Sequence, residues 1–265
     1  MRKSRFQWVL PTYMWLVLGY LFLPVLVVIL FSFNDINRGF NVVWQGFTLR
    51  HWMDPFRVPD IVESLATSVV IAFLASLIAT ILGTLIALAL VRYGFRGRGT
   101  TSVFLFLPMA TPEVVLGSSL LALFITMRVA TGFWTIVIAH ILFIMSYAVV
   151  TVRARIAGYD RHLEEAAMDL YSDEWSTFRR VTLPMILPVV LAAFMLGFAL
   201  SFDDFIVTNF NSGTIQTWPM YVWGASRRGI PPQVNVWATA IFLMTTVAMF
   251  VTLRVQGRRA RSVES

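Results

Sequence analysis

Three carboxylates stand inside otherwise apolar stretches of this 265-residue chain, namely Glu113, Asp203 and Asp204. A charged side chain at membrane depth is costly and usually marks a pathway or a buried pair. No Lys or Arg lies within the same stretches, so the three carboxylates favour a path for a cation over one for an anion. Each has a structural alternative, since Glu113 could pair with a partner subunit and the two aspartates could cap the outer end of a helix.

The residues before Glu113 predict a distorted helix. Pro108 and Pro112 precede it, and a proline inside a helix removes a hydrogen bond and kinks the chain. Glu113 lies about 12 residues after the beginning of its apolar stretch, a distance of about 18 Å along a helix that rises 1.5 Å per residue. This depth is near the membrane midplane. Asp203 and Asp204 come later in theirs, near the outer mouth.

The sequence offers no catalytic residue and no metal site. Cys is absent, and His51, His140 and His162 are too far apart in the chain to form a local metal pair. An HExxH motif, a Ser/His/Asp set and an acidic metal cluster are all missing. The only lysine is Lys3, so the chain has no phosphate-binding P-loop. We expect no cofactor on this chain, and any ATP would be used by another polypeptide.

The composition is that of a membrane protein. Hydrophobic residues make up 58% of the chain and charged residues 13%, whereas soluble domains are usually about a quarter charged. A soluble protein of this size cannot bury so much apolar surface. The net charge of +7 comes from arginines in short loops, with no basic, aromatic-rich soluble segment, so nucleic-acid binding is excluded.

Six apolar segments are long enough to cross a bilayer core, which needs about 20 residues. They run from about Val9 to Phe31, Thr67 to Val91, Thr101 to Ile125, Phe133 to Val152, Met185 to Val207 and Val234 to Leu253. The sequence therefore predicts an all-α integral membrane protein with six transmembrane helices, in a single domain that covers residues 1–265.

The basic residues orient these spans. With the N-terminus inside, 15 of the 21 Lys and Arg residues fall in inner segments and six in outer ones. Short loops rich in Lys and Arg stay cytoplasmic, so both termini are predicted to be cytoplasmic. The two long loops, Ser32–Ala66 and Thr208–Gln233, are then on the outer side, and residues 153–183 form the longest inner loop.

The inner loop predicts two short helices outside the membrane. Asp160 is placed to cap the first, and Ser172 to cap the second, with a bend near Tyr171 and Ser172. The apolar side chains recur at helical spacing in each helix: Leu163, Ala166, Ala167 and Leu170, then Trp175, Phe178 and Val181.

An apolar face of this kind needs a surface to dock on. Amphipathic helices that lie on lipid headgroups carry Lys or Arg along the polar face. The first helix instead carries Glu164, Glu165 and Asp169, which anionic lipids would repel. A protein partner is therefore favoured over lipid.

The inner loop resembles the EAA motif of permease subunits of ATP-binding-cassette (ABC) importers. Glu165-Ala166-Ala167 matches, as does Leu183-Pro184 at the family's distance, whereas Tyr171 replaces a Gly and Val181 an Ile. Because Gly would permit a left-handed bend at no steric cost, Tyr171 predicts a more helical one.

This resemblance covers most of the chain and implies the type I (MetI-like) importer-permease fold. It also implies a coupling helix that docks into a cleft on a separate ATPase subunit. The coupling residues that it implies are Glu165, Ala166, Ala167, Leu170, Tyr171, Trp175, Phe178, Leu183 and Pro184.

Three further stretches are similar to the second permease subunit of spermidine and putrescine importers: Pro112–Gly117, Leu200–Gly213 and Thr217–Thr239. The resemblance implies a polyamine path in the bacterial cytoplasmic membrane, with Glu113, Asp203 and Asp204 along it. It also implies a dimer of ATP-binding subunits, a second permease subunit and an extracytoplasmic solute-binding protein as partners, besides membrane lipid.

Two alternatives are open. Importers of iron, thiosulfate or phosphonate-type solutes share the scaffold. A secondary transporter or channel is a different class, but such proteins often show internal repeats, and the six spans show no convincing one. That class would also leave the inner amphipathic loop without a role.

Overall fold

The computed structural model describes residues 8–36, 40–160, 162–170 and 173–261, which are helical apart from turns, loops and one isolated bridge between Asn34 and Phe47. In chain order the helices are α1 (Val9–Phe31), α2 (Arg50–Met53), α3 (Pro59–Arg92), α4 (Arg98–Ala110), α5 (Glu113–Thr126), α6 (Phe133–Ile156), α7 (His162–Asp169), α8 (Glu174–Thr177), α9 (Leu183–Asp203), α10 (Ile206–Asn211), α11 (Trp218–Arg228) and α12 (Pro232–Arg261). A π-helical turn, Phe178–Thr182, joins α8 to α9.

Five helical stretches among the described residues are long and apolar enough to cross a membrane: Val9–Phe31, Pro59–Arg92, Phe133–Ile156, Glu174–Asp203 and Pro232–Phe250. A sixth is present if α4 and α5, which are bent by 106° at the break between them, form one span. Counted in that way, the six spans are five continuous stretches and one broken one. The broken one replaces the predicted third span, and the helix of the predicted fifth span stops at Asp203.

The chain divides into two compact units, which the prediction of a single domain did not distinguish. The first contains Met1–Val62 and Val222–Ser265, and the second contains Glu63–Tyr221. In the first unit α12 packs against α1 and α2. No residue of α1 is buried, so this mostly apolar helix offers much of its surface to lipid or to another protein.

A buried asparagine organises the loop that follows α1 in the first unit. The Asn34 side-chain amide donates to Oδ1 of Asn41 and to the carbonyl of Val43, both at 2.7 Å. Its oxygen accepts the N–H of Gln45 at 2.7 Å. This buried amide is therefore satisfied at both ends, and it ties residues 41–45 of the predicted outer loop to the end of α1.

Helix α6 forms the centre of the second unit, with α3 and α9 packed closely on it. A Cβ added to Gly83 would lie 2.7 Å from the Cβ of Ala148, and one added to Gly197 would lie 2.5 Å from Cγ2 of Ile144. Small residues at such contacts are typical of membrane helices, because they let the backbones approach.

The short helix α10 is held between α5 and α6. A Cβ added to Gly117 of α5 would lie 2.9 Å from the ring of Phe210 and 3.2 Å from the Cα of Val207. The side chain of Asn211 donates to the Gly117 carbonyl at 3.3 Å, and the Thr135 hydroxyl of α6 donates to the Asn211 carbonyl at 2.7 Å. These contacts fix the start and end of α10 beside the candidate site.

Candidate functional site

A cavity of about 840 Å³ lies in the second unit, where the chain breaks twice, between α4 and α5 and between α9 and α10. Glu113, Asp203 and Asp204 all line it, together with Phe143 and Tyr147 of α6. The structure therefore brings together the three carboxylates that the sequence singled out. Of the described residues that line the cavity, none is Lys, Arg or His.

The break between α4 and α5 follows from a proline. Thr111 and Pro112 have extended backbone, with ψ values of 131° and 135°, since a residue that precedes proline is pushed out of the helical region. Pro108 lies inside α4 and does not end it. Glu113 is the first residue of α5, exposed to the cavity, where the helix dipole favours its negative charge. The predicted kink is thus a complete break.

The break between α9 and α10 occurs at Asp204, whose ψ of 121° ends the helix. Its carboxylate accepts hydrogen bonds from the N–H of Val207 at 3.3 Å, and from the N–H and hydroxyl of Thr208 at 2.7 and 2.8 Å. Asp204 is therefore at the C-cap of α9, as the structural alternative had it, and its carboxylate also caps the beginning of α10. Asp203, the last residue of α9, is exposed to the cavity.

His140 belongs to this site and was considered in the sequence only as a possible metal ligand. It is buried in the middle of α6, with Nδ1 2.6 Å from Oγ of Ser201. Its Nε2 lies 3.0 Å from Oγ1 of Thr208 and 3.2 Å from Oδ2 of Asp204. An ionisable side chain inside an apolar span was the signal that could have identified it.

The predicted coupling loop exposes much of its apolar surface. Leu163, Ala166, Leu170 and Trp175 are exposed, and Leu170 is 81% exposed. Ala167 is half-buried. This surface, Leu163–Leu170 with Trp175, is called the docking face below.

Glu165 is also exposed, and its carboxylate meets only His162, at 3.1 Å, among the described residues. Tyr171 and Ser172, where the bend was predicted, lie outside the described residues. The helix that follows is capped one residue later than predicted, since Asp173 is the N-cap of α8. A hydrogen bond from the Ser176 side chain lowers the pKa of Asp173.

Two predicted coupling residues face the protein. Phe178 and Leu183 pack against the apolar cluster formed by α3, α6 and α9, although Phe178 also stacks on Trp175 with ring centroids 5.7 Å apart. Pro184 lies in the first turn of α9, exposed, a position where the missing N–H of proline costs no hydrogen bond.

A polar contact that the sequence did not indicate joins α7 to the end of α3. Glu164 forms an ion pair with Arg92, and it also accepts the hydroxyl of Thr182 at 2.6 Å. Arg92 in turn donates to Thr182 at 3.1 Å. Because both charged side chains are mostly buried, Glu164 anchors α7 while the neighbouring Glu165 points outward.

A second cavity, of about 330 Å³, lies in the first unit and has a basic lining: Arg50, Arg57, Arg228 and the buried His51. Burial lowers the pKa of His51, and the positive charge of Arg50 lowers it further. His51 is therefore neutral at pH 7, and this cavity differs in charge from the acidic cavity of the second unit. No cluster of three or more His, Asp or Glu residues in the described parts of the chain could hold a metal ion.

Comparison with known proteins identifies the family. Residues 79–264 match the binding-protein-dependent transport system inner membrane component family. The spermidine/putrescine transport system permease protein PotC of Haemophilus influenzae is 36% identical over 248 residues, 93% of this chain and 95% of the relative. The putrescine transport system permease protein PotI of Escherichia coli is 35% identical, covering 94% of this chain and 93% of the relative.

Solved structures share the fold. A bacterial ABC transporter involved in the import of the acidic polysaccharide alginate matches with a TM-score of 0.68 and 14% identity, covering 96% of this chain and 94% of the other. An amino acid ABC transporter crystallised with histidines matches with a TM-score of 0.58 and 18% identity, covering 81% of this chain and 100% of the other. The chain therefore has the fold of an ABC transporter permease and belongs to the family of inner membrane components of binding-protein-dependent transport systems.

Proposed function

We propose that this chain is the permease subunit of an ATP-driven ABC importer and forms part of the path for polyamines, such as spermidine and putrescine, across the bacterial cytoplasmic membrane. The observation that carries the proposal is the convergence of Glu113, Asp203 and Asp204 on one cavity that has no cationic side chain among its described lining residues. Two relatives are named as spermidine and putrescine permeases. Each is about a third identical to this chain over almost its whole length.

The position of Asp203 supports a cationic solute. Asp203 ends a 21-residue helix, and a negative charge at a helix C-terminus is unfavourable because the dipole places partial negative charge there. An ammonium group of the solute would relieve this repulsion. Phe143, Tyr147 and Leu196 supply an apolar wall that suits the methylene chain of a polyamine, and the aromatic rings also attract ammonium groups.

The energy for transport comes from a separate ATPase, because this chain has no P-loop lysine. The chain itself binds no cofactor. The docking face contacts the ATP-binding subunits, which act as a pair, and ATP is used there. Closure of the ATPase pair moves α7 and α8. The ion pair between Arg92 and Glu164 then carries this motion to α3.

Further partners complete the importer. A second permease subunit shares the path, and the apolar surface that α1 leaves exposed is available for it or for lipid. An extracytoplasmic solute-binding protein delivers the polyamine. Both termini are cytoplasmic, as the distribution of basic residues requires.

Uptake of labelled spermidine and putrescine tests the solute. We expect ATP-dependent uptake to disappear when the gene is deleted and to return with the unchanged chain. Asp203→Asn and Glu113→Gln should each raise the apparent KM about tenfold or more, since each removes one carboxylate from a desolvated ion pair. Asp60→Asn is the matched control, because Asp60 is an exposed carboxylate at the start of α3 and should leave uptake unchanged.

Unchanged uptake of both amines after deletion, in cells without another polyamine system, would refute the polyamine assignment. The family assignment would stand, and the same assay with iron, thiosulfate or a phosphonate would then identify the solute.

Co-purification tests the docking face. Ala166→Asp places a charge on an exposed position of that face, and we expect it to abolish binding of the ATP-binding subunits while membrane insertion is retained. Thr100→Asp is the control, because it adds the same charge at an exposed site in the first turn of α4, on the side predicted to be cytoplasmic. Retention of the ATPase by the Ala166→Asp variant would show that the docking face is elsewhere.

A further inference from the structure

One buried imidazole contacts both sides of the break between α9 and α10. His140 of α6 is 1% exposed. Its Nδ1 lies 2.6 Å from the Ser201 hydroxyl in α9, and its Nε2 lies 3.0 Å from the Thr208 hydroxyl in α10. The same Nε2 lies 3.2 Å from Asp204, at the break itself. A single side chain therefore joins the two helices that flank the break to a third helix.

The chemistry of these partners fixes the direction of the hydrogen bonds. An ionised carboxylate only accepts hydrogen bonds, so Nε2 carries the proton that it shares with Asp204. In the neutral ring, Nδ1 then accepts the hydroxyl proton of Ser201. Both ring nitrogens are thus satisfied, as burial of an imidazole requires.

Asp204 is fully engaged by the protein. Besides His140, its Oδ2 accepts the N–H and the hydroxyl of Thr208, at 2.7 and 2.8 Å, and its side chain is 6% exposed. Asp203 and Glu113 are both exposed to the cavity. Neither side-chain carboxylate makes a hydrogen bond or ion pair within the part of the chain that the structure describes. The three carboxylates therefore differ: Asp204 is bound by the protein, whereas Asp203 and Glu113 face the cavity.

We propose that His140 is a positioning residue of the solute path. His140 holds Asp204 against α10 and so keeps that carboxylate away from the solute. Glu113 and Asp203, one from each helix break, then bind the solute. The inference rests on the proposed function and deepens it. Two free carboxylates match a chain with at least two separated ammonium groups, so a monoamine of the same length should compete poorly for uptake.

Three substitutions of His140 separate its two contacts. The side-chain amide of Gln reaches about as far as Nε2 and can donate to Asp204, whereas the amide of Asn reaches only about as far as Nδ1, next to Ser201. We expect His140→Gln to keep the apparent KM for putrescine and spermidine within about threefold of the unchanged chain. His140→Asn and His140→Leu should raise it about tenfold, because the break then moves Asp203 out of place.

A double-mutant cycle tests whether His140 acts through Asp204. Asp204→Ala combined with His140→Leu should be no worse in uptake than Asp204→Ala alone, since the two residues form one unit. Ser146→Ala is the control, because Ser146 is buried in the same helix and its hydroxyl has no hydrogen-bond partner among the residues that the structure describes. This variant should leave uptake unchanged. The proposal would be overturned if the losses of uptake from the two single substitutions multiplied in the double variant. It would also be overturned if His140→Asn and His140→Gln kept the apparent KM equally well.

A second readout does not depend on the solute. The chain has no Cys, so Asp203→Cys introduces a single thiol whose alkylation by a charged, membrane-impermeant reagent reports how position 203 faces the cavity. We expect His140→Leu to change the alkylation rate at least about threefold and His140→Gln to leave it as it was. An unchanged rate with His140→Leu would refute the positioning role. Absence of polyamine uptake by the unchanged chain would instead refute the proposed function.

Discussion

The two helix breaks that border the acidic cavity have different causes. Between α4 and α5 the cause is one residue type, because Pro112 excludes helical backbone at Thr111. Between α9 and α10 neither Gly nor Pro occurs at the break, and the chain is held there by hydrogen bonds from His140 and Thr208 to Asp204. The first break is therefore encoded by one local residue, whereas the second also depends on His140, which comes from another helix.

This difference decides how each break should respond to mutation. A locally encoded break persists when its surroundings change, whereas a networked break leaves buried polar groups unpaired as soon as one member is lost. The two breaks are also linked, because α10 packs on α5 through Gly117. Substitutions at the network, at the contact and at the proline should therefore have effects that decrease in that order.

The largest loss of stability is expected for Asp204→Ala. Removing this carboxylate leaves the N–H of Thr208 buried without its acceptor and leaves the Nε2 proton of His140 only the Thr208 hydroxyl, which costs about 2–5 kcal/mol. For a protein of this size that corresponds to a fall in the apparent Tm of roughly 5–15 °C. Thermal unfolding of the purified protein in detergent, with its partner subunits where they co-purify, measures it.

Asp203→Ala is the matched control for this measurement. Asp203 is the adjacent carboxylate, yet it is exposed to the cavity and its side chain makes no hydrogen bond within the described residues. Its apparent Tm should stay within about 2 °C of the unchanged protein, although uptake falls. Equal losses of stability in the two variants would mean that Asp204 does not hold the second break.

The same contrast explains how far the sequence could predict this molecule. Hydropathy indicated the six apolar segments, and Pro112 indicated a distortion beside Glu113, because both signals are local. The end of α9 at Asp203 was not predicted, since its apolar pattern continues to Val207 and the residue that stabilises the break, His140, lies on another helix.

The inner loop shows a similar limit. The helical spacing of apolar residues predicted α7 and its exposed face, but spacing alone does not show which residues turn inward. Glu164 pairs with Arg92, far away in the chain, while Glu165 stays exposed. Phe178 and Leu183, predicted to contact the ATPase, pack on the protein itself, because the π-helical turn and α9 continue directly from α8.

An intermediate effect is expected for Gly117→Ala. The added methyl group would lie 2.9 Å from the Phe210 ring and 3.2 Å from the Cα of Val207, so α10 must move away from α5. Overpacking of this kind costs about 1–3 kcal/mol, and the displaced α10 should also lower uptake. Gly19→Ala is the control, because no atom of the described residues, apart from the adjoining backbone of α1 itself, lies within 4 Å of the added group. If both variants had the same apparent Tm, the contact between the two breaks would not be tight.

The smallest change in stability is expected for Pro112→Ala, and it is the sharpest test of the local break. Alanine restores the N–H and allows Thr111 to become helical, but the packing of α5 on α10 still favours the bend. We therefore expect the free energy of unfolding to change by less than about 1 kcal/mol, as for the control Pro59→Ala at the first position of α3. Uptake should fall only partly. Unchanged uptake at an unchanged apparent Tm would contradict the local origin of this break, because the contact with α10 alone would then keep Glu113 in the cavity.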